Sequence, residues 1–204
     1  MARVTPTWAL VFVKAPSPGL VKTRLLSALS GEEAAALYRT LVRDTLEALA
    51  AVPNLHCVVA YAPDPAFPDL AWLGEYPMVR QEGGTLGARL QHAFAWAFAQ
   101  GAARVLAIGS DAPALSPEWL RGACEALARV DVVIGPTRDG GYQLIGLRRP
   151  HPELFTDMPW STPHLCARTR ERAARLGLRA HCLEPVEDVD TPDDLRRYLT
   201  SRSG

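Results

Sequence analysis

Trp8-Ala9-Leu10-Val11-Phe12-Val13 runs straight into Lys14-Ala15-Pro16-Ser17-Pro18-Gly19-Leu20-Val21-Lys22-Thr23-Arg24, and this junction decides the fold. The first six residues are short, apolar and rich in aromatic and β-branched side chains, the pattern of a strand buried on both faces. The eleven that follow carry three cations, one glycine and two prolines. Each proline fixes its own φ and pushes its neighbour into an extended conformation, so the loop is stiff. Open α/β sheets bind ligands in loops at the carboxyl ends of buried strands. A stiff, basic loop in that place predicts an anionic ligand, with a phosphate chain as the natural guest. The plain alternative is a solvated loop that happens to hold Lys and Arg.

Strand-like and helix-like segments alternate outward from this junction, which predicts a mostly parallel central sheet with helices on both faces. Ser30 and Glu33 have the spacing of a capping box, and the helix they start runs to about Ala51 with Leu37, Leu41, Thr45 and Leu49 on one stripe. His56–Tyr61 and Met78–Arg80 read as strands. Thr85 caps an amphipathic helix through Leu86, Leu90, Phe94, Ala97 and Phe98, ended by Gly101. Arg104–Ile108 is a strand, and Ser116-Pro117-Glu118 opens the next helix with Pro at its first position. The strands Asp131–Gly135 and Tyr142–Leu147 flank Asp139-Gly140-Gly141, giving a β-hairpin near residues 131–147. Thr162-Pro163 begins a helix ending near Gly177, Arg179–Leu183 is a last strand, and Thr191-Pro192 caps a terminal helix.

The 204 residues fit one domain, 1–204, long enough for a substantial core. Lys+Arg and Asp+Glu balance at 22 each, which argues against nucleic acid as a partner, because such binders rely on neutralising many phosphates. Cys57, Cys124, Cys166 and Cys182 lie far apart with no Cys-x-x-Cys pair, so zinc and dithiol chemistry are not expected. No apolar run is long enough for a membrane span or a signal sequence, and the expected location is cytoplasmic. Trp72, Tyr76, Trp96 and Trp119 are large apolar groups that read either as core or as the interface of a homodimer.

The residues that could do chemistry gather at strand ends. Asp111 follows the middle strand in Ile-Gly-Ser-Asp-Ala-Pro; a turn aspartate that bonds its own backbone is the competing reading. Asp188 and Asp190 alternate along an extended segment after the last strand and so point to one side, with helix capping as the alternative for Asp190. Carboxylates beside a basic phosphate loop supply the hard oxygen ligands that Mg²⁺ takes. Gly83-Gly84 let a backbone approach a flat ligand closely, and Arg89 either reaches a phosphate or faces solvent. Asp139-Gly140-Gly141-Tyr142 and Trp160-Ser161-Thr162 are the remaining candidates. A hairpin turn explains the first and helix capping the second without any function. Walker, dinucleotide and nucleophile-elbow glycine patterns are all absent from the sequence.

Taken in order, Lys14-Ala15-Pro16 through Lys22-Thr23-Arg24-Leu25, Leu86-Gly87-Ala88-Arg89, Gly109-Ser110-Asp111-Ala112-Pro113, Asp139-Gly140-Gly141-Tyr142, Pro159-Trp160-Ser161-Thr162 and Asp188-Val189-Asp190-Thr191 resemble the nucleotide-diphospho-sugar transferase superfamily with its Rossmann-like GT-A architecture. The resemblance covers nearly the whole chain. Within the superfamily the chain is similar to small bacterial transferases of unassigned substrate, and to the guanylyltransferases for 2-phospholactate and the molybdenum cofactor. That resemblance implies a Mg²⁺- or Mn²⁺-dependent transferase that binds a nucleotide and a small-molecule acceptor. Lys14, Ala15, Gly19, Lys22, Arg24, Gly83, Gly84 and Arg89 would bind the nucleotide. Lys22, Arg24 and Asp111 would be catalytic, and Asp111, with Asp188 or Asp190, would hold the metal. Asp139, Gly140, Gly141, Tyr142, Trp160 and Ser161 would line the acceptor pocket. Two departures stand out: the Gly-x-Gly-Thr/Ser-Arg loop of nucleotidyltransferases is Pro-rich here, and the aspartate pair of sugar transferases is a single Asp111. Transfer of a nucleotidyl group from an NTP to a phosphorylated acceptor is the expected activity. Glycosyl transfer from an NDP-sugar, with Asp139 as base, and nucleotide binding without catalysis are the alternatives.

Overall fold

A computed structural model describes residues 6–65, 68–110 and 115–202. Its elements are β1 (Thr7–Val13), α1 (Gly31–Ala50), β2 (Leu55–Tyr61), β3 (Met78–Arg80), α2 (Leu86–Ala99), β4 (Arg104–Gly109), α3 (Pro117–Leu127), β5 (Val132–Pro136), β6 (Tyr142–Leu147), α4 (Leu165–Arg175), β7 (Ala180–Cys182) and α5 (Pro192–Arg202). The seven strands form one sheet in the order β3-β2-β1-β4-β6-β5-β7. β1 pairs in parallel with β2 and β4, and β2 with β3. β6 runs antiparallel to β4 and β5, while β7 is parallel to β5. The fold is therefore the expected mostly parallel sheet carrying one hairpin, which turns at Asp139-Gly140.

Strand alternation splits the core into two layers. Ala9, Val11, Val13, Leu106, Ile108, Val133 and Leu144 face α1 and α3. Leu10, Val58, Ala60, Val105, Ala107, Ile134 and Ile145 face α2 and α4. β1 is buried on both faces because it is the middle of the parallel half, as its unbroken apolar run requires. Trp72, Tyr76 and Trp119 pack against the first layer and Trp96 against the second, so all four belong to the core's edge and not to an open face.

The helix starts follow the capping chemistry. Ser30 Oγ accepts from the Glu33 amide, and the Ser30 amide donates to Glu33 Oε2 at 2.8 Å. Thr85 and Ser116 cap α2 and α3 in the same way. α4 differs from expectation. It begins at Leu165 and not at Pro163, because residues 159–164 form a turn around Trp160, with Ser161 left-handed at φ 59°. Thr162 does not cap the helix; its hydroxyl donates to the Pro159 carbonyl at 2.8 Å and holds that turn together.

Candidate active site

The carboxyl ends of β1 and β4 lie side by side in the middle of the sheet, and Lys14 and Ser110, just past them, line one cleft. The loop after β1 turns at Ser17–Leu20, where the Leu20 amide donates to the Ser17 carbonyl at 3.0 Å and Gly19 takes φ 75°. It then lies on the first residue of α1: a Cβ on Gly31 would stand 2.9 Å from the Gly19 nitrogen. Lys22 adopts the left-handed conformation, φ 49° and ψ 41°. A non-glycine residue there stores strain, which persists only where neighbours over-determine it.

The strained Lys22 points inward. Its side chain is 3% exposed, and Nζ lies 3.2 Å from Asp190 Oδ1. Arg24 reaches the other carboxylate oxygen at 3.5 Å from the solvent side. Cations from the amino-terminal loop thus meet an acid from the far end of the chain across a cleft of about 340 Å³, which Lys14, Tyr38 and Ser110 also line. Lys14 borders a second cleft as well, of about 310 Å³, over the ends of β1, β2 and β3 between Ala15, Asp64, Trp72 and Arg80.

Tyr38 fixes the geometry between the two loops. The Lys14 amide donates to the Tyr38 hydroxyl at 2.8 Å, and that hydroxyl lies 3.1 Å from Ser110 Oγ. Ser110 donates its one proton to the Phe12 carbonyl at 3.0 Å, so the Tyr38 hydroxyl is the donor toward Ser110. The bonds form a closed ring from the end of β1 through α1 to the end of β4. Ser110 precedes Asp111 in the chain; Asp111 itself, with Ala112 and Pro113, lies outside the described residues.

The acids beyond β7 form a cluster. Burial, then the charges of Asp190, Asp139 and Asp194, push the Asp188 carboxyl up to about 6. Burial also raises Asp194, but hydrogen bonds from Thr191 and the Asp190 amide outweigh it and hold that carboxyl below its ordinary value while it caps α5. Asp190 lines the cleft while paired with Lys22 and Arg24, and Asp188 stands close behind it, outside the cleft's lining. Asp139 is near enough to act on Asp188, yet its Oδ1 already accepts from Thr137 Oγ1 at 2.6 Å and from the Gly141 amide at 3.0 Å. Gly140, at φ 87°, packs directly on Pro163, and its carbonyl accepts from the Cys166 amide at 3.0 Å. The hairpin turn and the start of α4 are one unit.

The other expected contacts divide. Tyr142 and Trp160 meet edge to face, 6.4 Å between ring centres, and line an apolar pocket next to the main cleft. Ser161 is exposed on the Trp160 turn. Gly83 and Gly84 form an exposed turn outside both clefts, and Arg89 Nε folds back on the Gly83 carbonyl at 3.1 Å. Arg89 is thereby a support for that turn. Sequence reasoning missed Tyr38, Ser110 and Gln143. Tyr38 sits in an apolar helix stripe and reads as core; a buried glutamine inside the apolar run Tyr142–Leu147 was a readable signal.

Comparison with known proteins agrees with this fold. The profile of the bacterial family described as "Uncharacterized protein conserved in bacteria (DUF2064)" matches residues 45–162. A phosphoenolpyruvate guanylyltransferase of Streptosporangium roseum is 33% identical, over 94% of this chain and 85% of its own. A crystal structure from Desulfovibrio desulfuricans G20, assigned to the nucleotide-diphospho-sugar transferases, superposes with a TM-score of 0.90 at 37% identity, covering 97% of this chain and 88% of that one. A Mycobacterium tuberculosis protein solved with manganese shares the fold at a TM-score of 0.56 and 17% identity, over 97% of this chain and 100% of its own. The chain is a transferase of the nucleotide-diphospho-sugar transferase superfamily and belongs to the DUF2064 family.

Proposed function

We propose that the protein joins the nucleotidyl group of an NTP to a phosphorylated small-molecule acceptor and releases pyrophosphate. GTP is the first candidate donor, because two relatives that match most of the chain are phosphoenolpyruvate guanylyltransferases. The observation that carries the reading is the convergence of buried Lys22 and exposed Arg24 on Asp190 at the phosphate-loop cleft. The base and ribose would lie in the cleft over β2 and β3, and the triphosphate would cross Lys14 into the Lys22 cleft. An acceptor phosphate oxygen would then attack the α-phosphorus. One P–O bond forms, the bond from the α-phosphorus to the bridging oxygen breaks, and pyrophosphate leaves with that oxygen. The nucleophile is already an anion, so no protein base is required; Lys22 and Arg24 stabilise the charge that builds on the leaving group.

Asp188, Asp190 and Asp111 are the residues that would hold Mg²⁺ or Mn²⁺. The raised Asp188 carboxyl supports that fit, since crowded carboxylates favour a cation among them. The ion would neutralise triphosphate charge. Glycosyl transfer to a neutral hydroxyl would need a base, and the turn bonds already engaging Asp139 weigh against that role. The test is pyrophosphate release from a panel of NTPs with phosphoenolpyruvate and other phosphorylated acids, with and without Mg²⁺. Release that requires the divalent ion and is abolished by Lys22→Met is expected. Turnover of NDP-sugars with no pyrophosphate from any pair would refute the reading.

A further inference from the structure

Beside the Lys22 cleft, sharing Phe12, Leu86 and Gly109 with it, lies a pocket of about 120 Å³. The ends of β1, β4 and β6 form its floor. Leu90 of α2, Trp160 and Leu165 of α4 close its sides. Its described lining carries no charged side chain. One polar group stands out. Gln143 is 9% exposed, and its Nε2 is buried with no hydrogen-bond partner among the described residues.

An unpaired buried carboxamide costs stability, and most such groups in folded proteins are satisfied. The fold is nevertheless arranged to keep this one. A Cβ at Gly109 would stand 2.8 Å from Gln143 Nε2, so a side chain at 109 would displace the carboxamide. Strand alternation puts Gln143 on the same face as Ile145, above the pocket. The β5–β6 ladder slips between Gly135 and Pro136, which brings Tyr142 onto that face as well. Position 143 therefore places an unpaired, covered donor against an apolar recess that shares its lining with the Lys22 cleft.

We infer that Gln143 recognises the acceptor: its Nε2 donates to a carbonyl or carboxylate oxygen borne by a short carbon skeleton that fills this pocket. The inference rests on the nucleotidyl-transfer reading and narrows its acceptor. An Nε2 group can only donate, so the ligand group facing it must be an acceptor oxygen. The volume is that of about four waters, enough for about three or four carbons. Phe12, Leu86 and Leu90 give those carbons apolar walls. The recess opens on the Lys22 cleft, where the acceptor's own phosphate meets the cations. The ligand class is a small phosphorylated acid or oxo compound, apolar at one end.

The test uses the full chain with a non-hydrolysable GTP analogue and Mg²⁺. The probes are phosphoenolpyruvate and 2-phospholactate, each against its counterpart lacking the carboxyl group, vinyl phosphate and ethyl phosphate. The Gln143 side-chain amide resonances, assigned by their loss in Gln143→Leu, should shift with at least one acid and with neither counterpart. Gln143→Leu should weaken that acid's binding at least tenfold and leave binding of the GTP analogue within twofold. The same variant removes an unsatisfied donor, so its Tm should stay level or rise by about 2–6 °C; a purely structural glutamine would lower it. Equal binding of acids and counterparts, unchanged binding by Gln143→Leu, or no shift with any acid would each overturn the inference. Failure of the unmodified protein to bind the GTP analogue would instead strike the nucleotidyl reading, and the amide shifts with the acids alone would still decide the role of Gln143.

Discussion

Tyr38→Phe removes one oxygen from a side chain that is 3% exposed and breaks the ring that joins Lys14, after β1, to Ser110, after β4. Two consequences can be sized. The Lys14 amide loses its acceptor, and that bond is only part-buried, so the cost lies toward the lower end of about 1–3 kcal/mol. Ser110 keeps its bond to the Phe12 carbonyl and loses only an incoming donor, about 0.5–1 kcal/mol. The sum is about 2 kcal/mol, with no cavity of note because the ring remains. For a chain of 204 residues that lowers Tm by about 4–8 °C. Differential scanning calorimetry reads the shift, and pyrophosphate release reads the activity, which should fall in kcat/KM because Lys14 and Ser110 both line the cleft. The decisive measurement is a double-mutant cycle with Ser110→Ala. Groups sharing one network couple by about 0.5–3 kcal/mol. If the two losses add within about 0.3 kcal/mol, the ring does not act as a unit and the argument fails.

The other predictions concern the acid cluster, a thiol and a turn. The folded Asp188 carboxyl titrates near 6, against 3.8 when unperturbed, so its ionised form is disfavoured in the native state. That penalty is absent below pH 3.8 and complete above 6; Asp188→Asn should raise Tm in metal-free buffer at pH 8, show no gain near pH 4, and weaken Mg²⁺ binding. A gain that is equal at the two pH values would refute it. Burial pushes the Cys57 thiol up to about 12, leaving a thiolate fraction of about 10⁻⁴ at pH 8; Ellman's reagent should label Cys57 only after denaturation, as peptide mapping can show. Gly140→Ala combines a left-handed backbone with a clash against Pro163 and should cost about 2–4 kcal/mol by urea unfolding. An unchanged midpoint would mean that the hairpin and α4 are not one unit.

The sequence was most readable where one local rule determined the outcome. β1 announced itself because a strand buried on both faces permits almost nothing but apolar residues. The starts of α1, α2 and α3 were readable because each cap is a hydrogen bond within three residues. α4 was misplaced by two residues for the opposite reason: Pro163 is an excellent first residue of a helix, but the turn around Trp160 occupies it. The basic loop and the two acid segments were readable as charges, but the meeting of Lys22 and Arg24 with Asp190 depends on the path of residues 183–190 back from the sheet edge. Arg89 could not be read, since an arginine beside a glycine turn has the same local sequence whether it reaches a ligand or supports the turn. Tyr38 acts through groups just past the ends of β1 and β4, 72 residues away in the case of Ser110. No window of sequence contains such a contact.

The pairing of Lys22 with Asp190 spans 168 residues and needs its own support, because β7, from which the acid segment leaves, is at the far edge of the sheet. The chain returns toward the centre by adding to β5: the Val186 amide donates to the Pro136 carbonyl at 2.9 Å, and Val186 bridges to Thr137. A small third core then anchors it. Leu25, just past the basic loop after β1, is buried together with Leu41 of α1, Val189, and Leu195 and Tyr198 of α5. Leu25 is three residues from Lys22, and Val189 adjoins Asp190. Burial of these apolar neighbours fixes the two charges against each other more firmly than their own attraction could, since an ion pair reached by solvent on one side contributes little. The terminal helix is therefore part of the site. Leu195→Ala, far from any ligand, should lower nucleotide affinity along with stability, whereas Leu199→Ala, exposed on the same helix, should change neither.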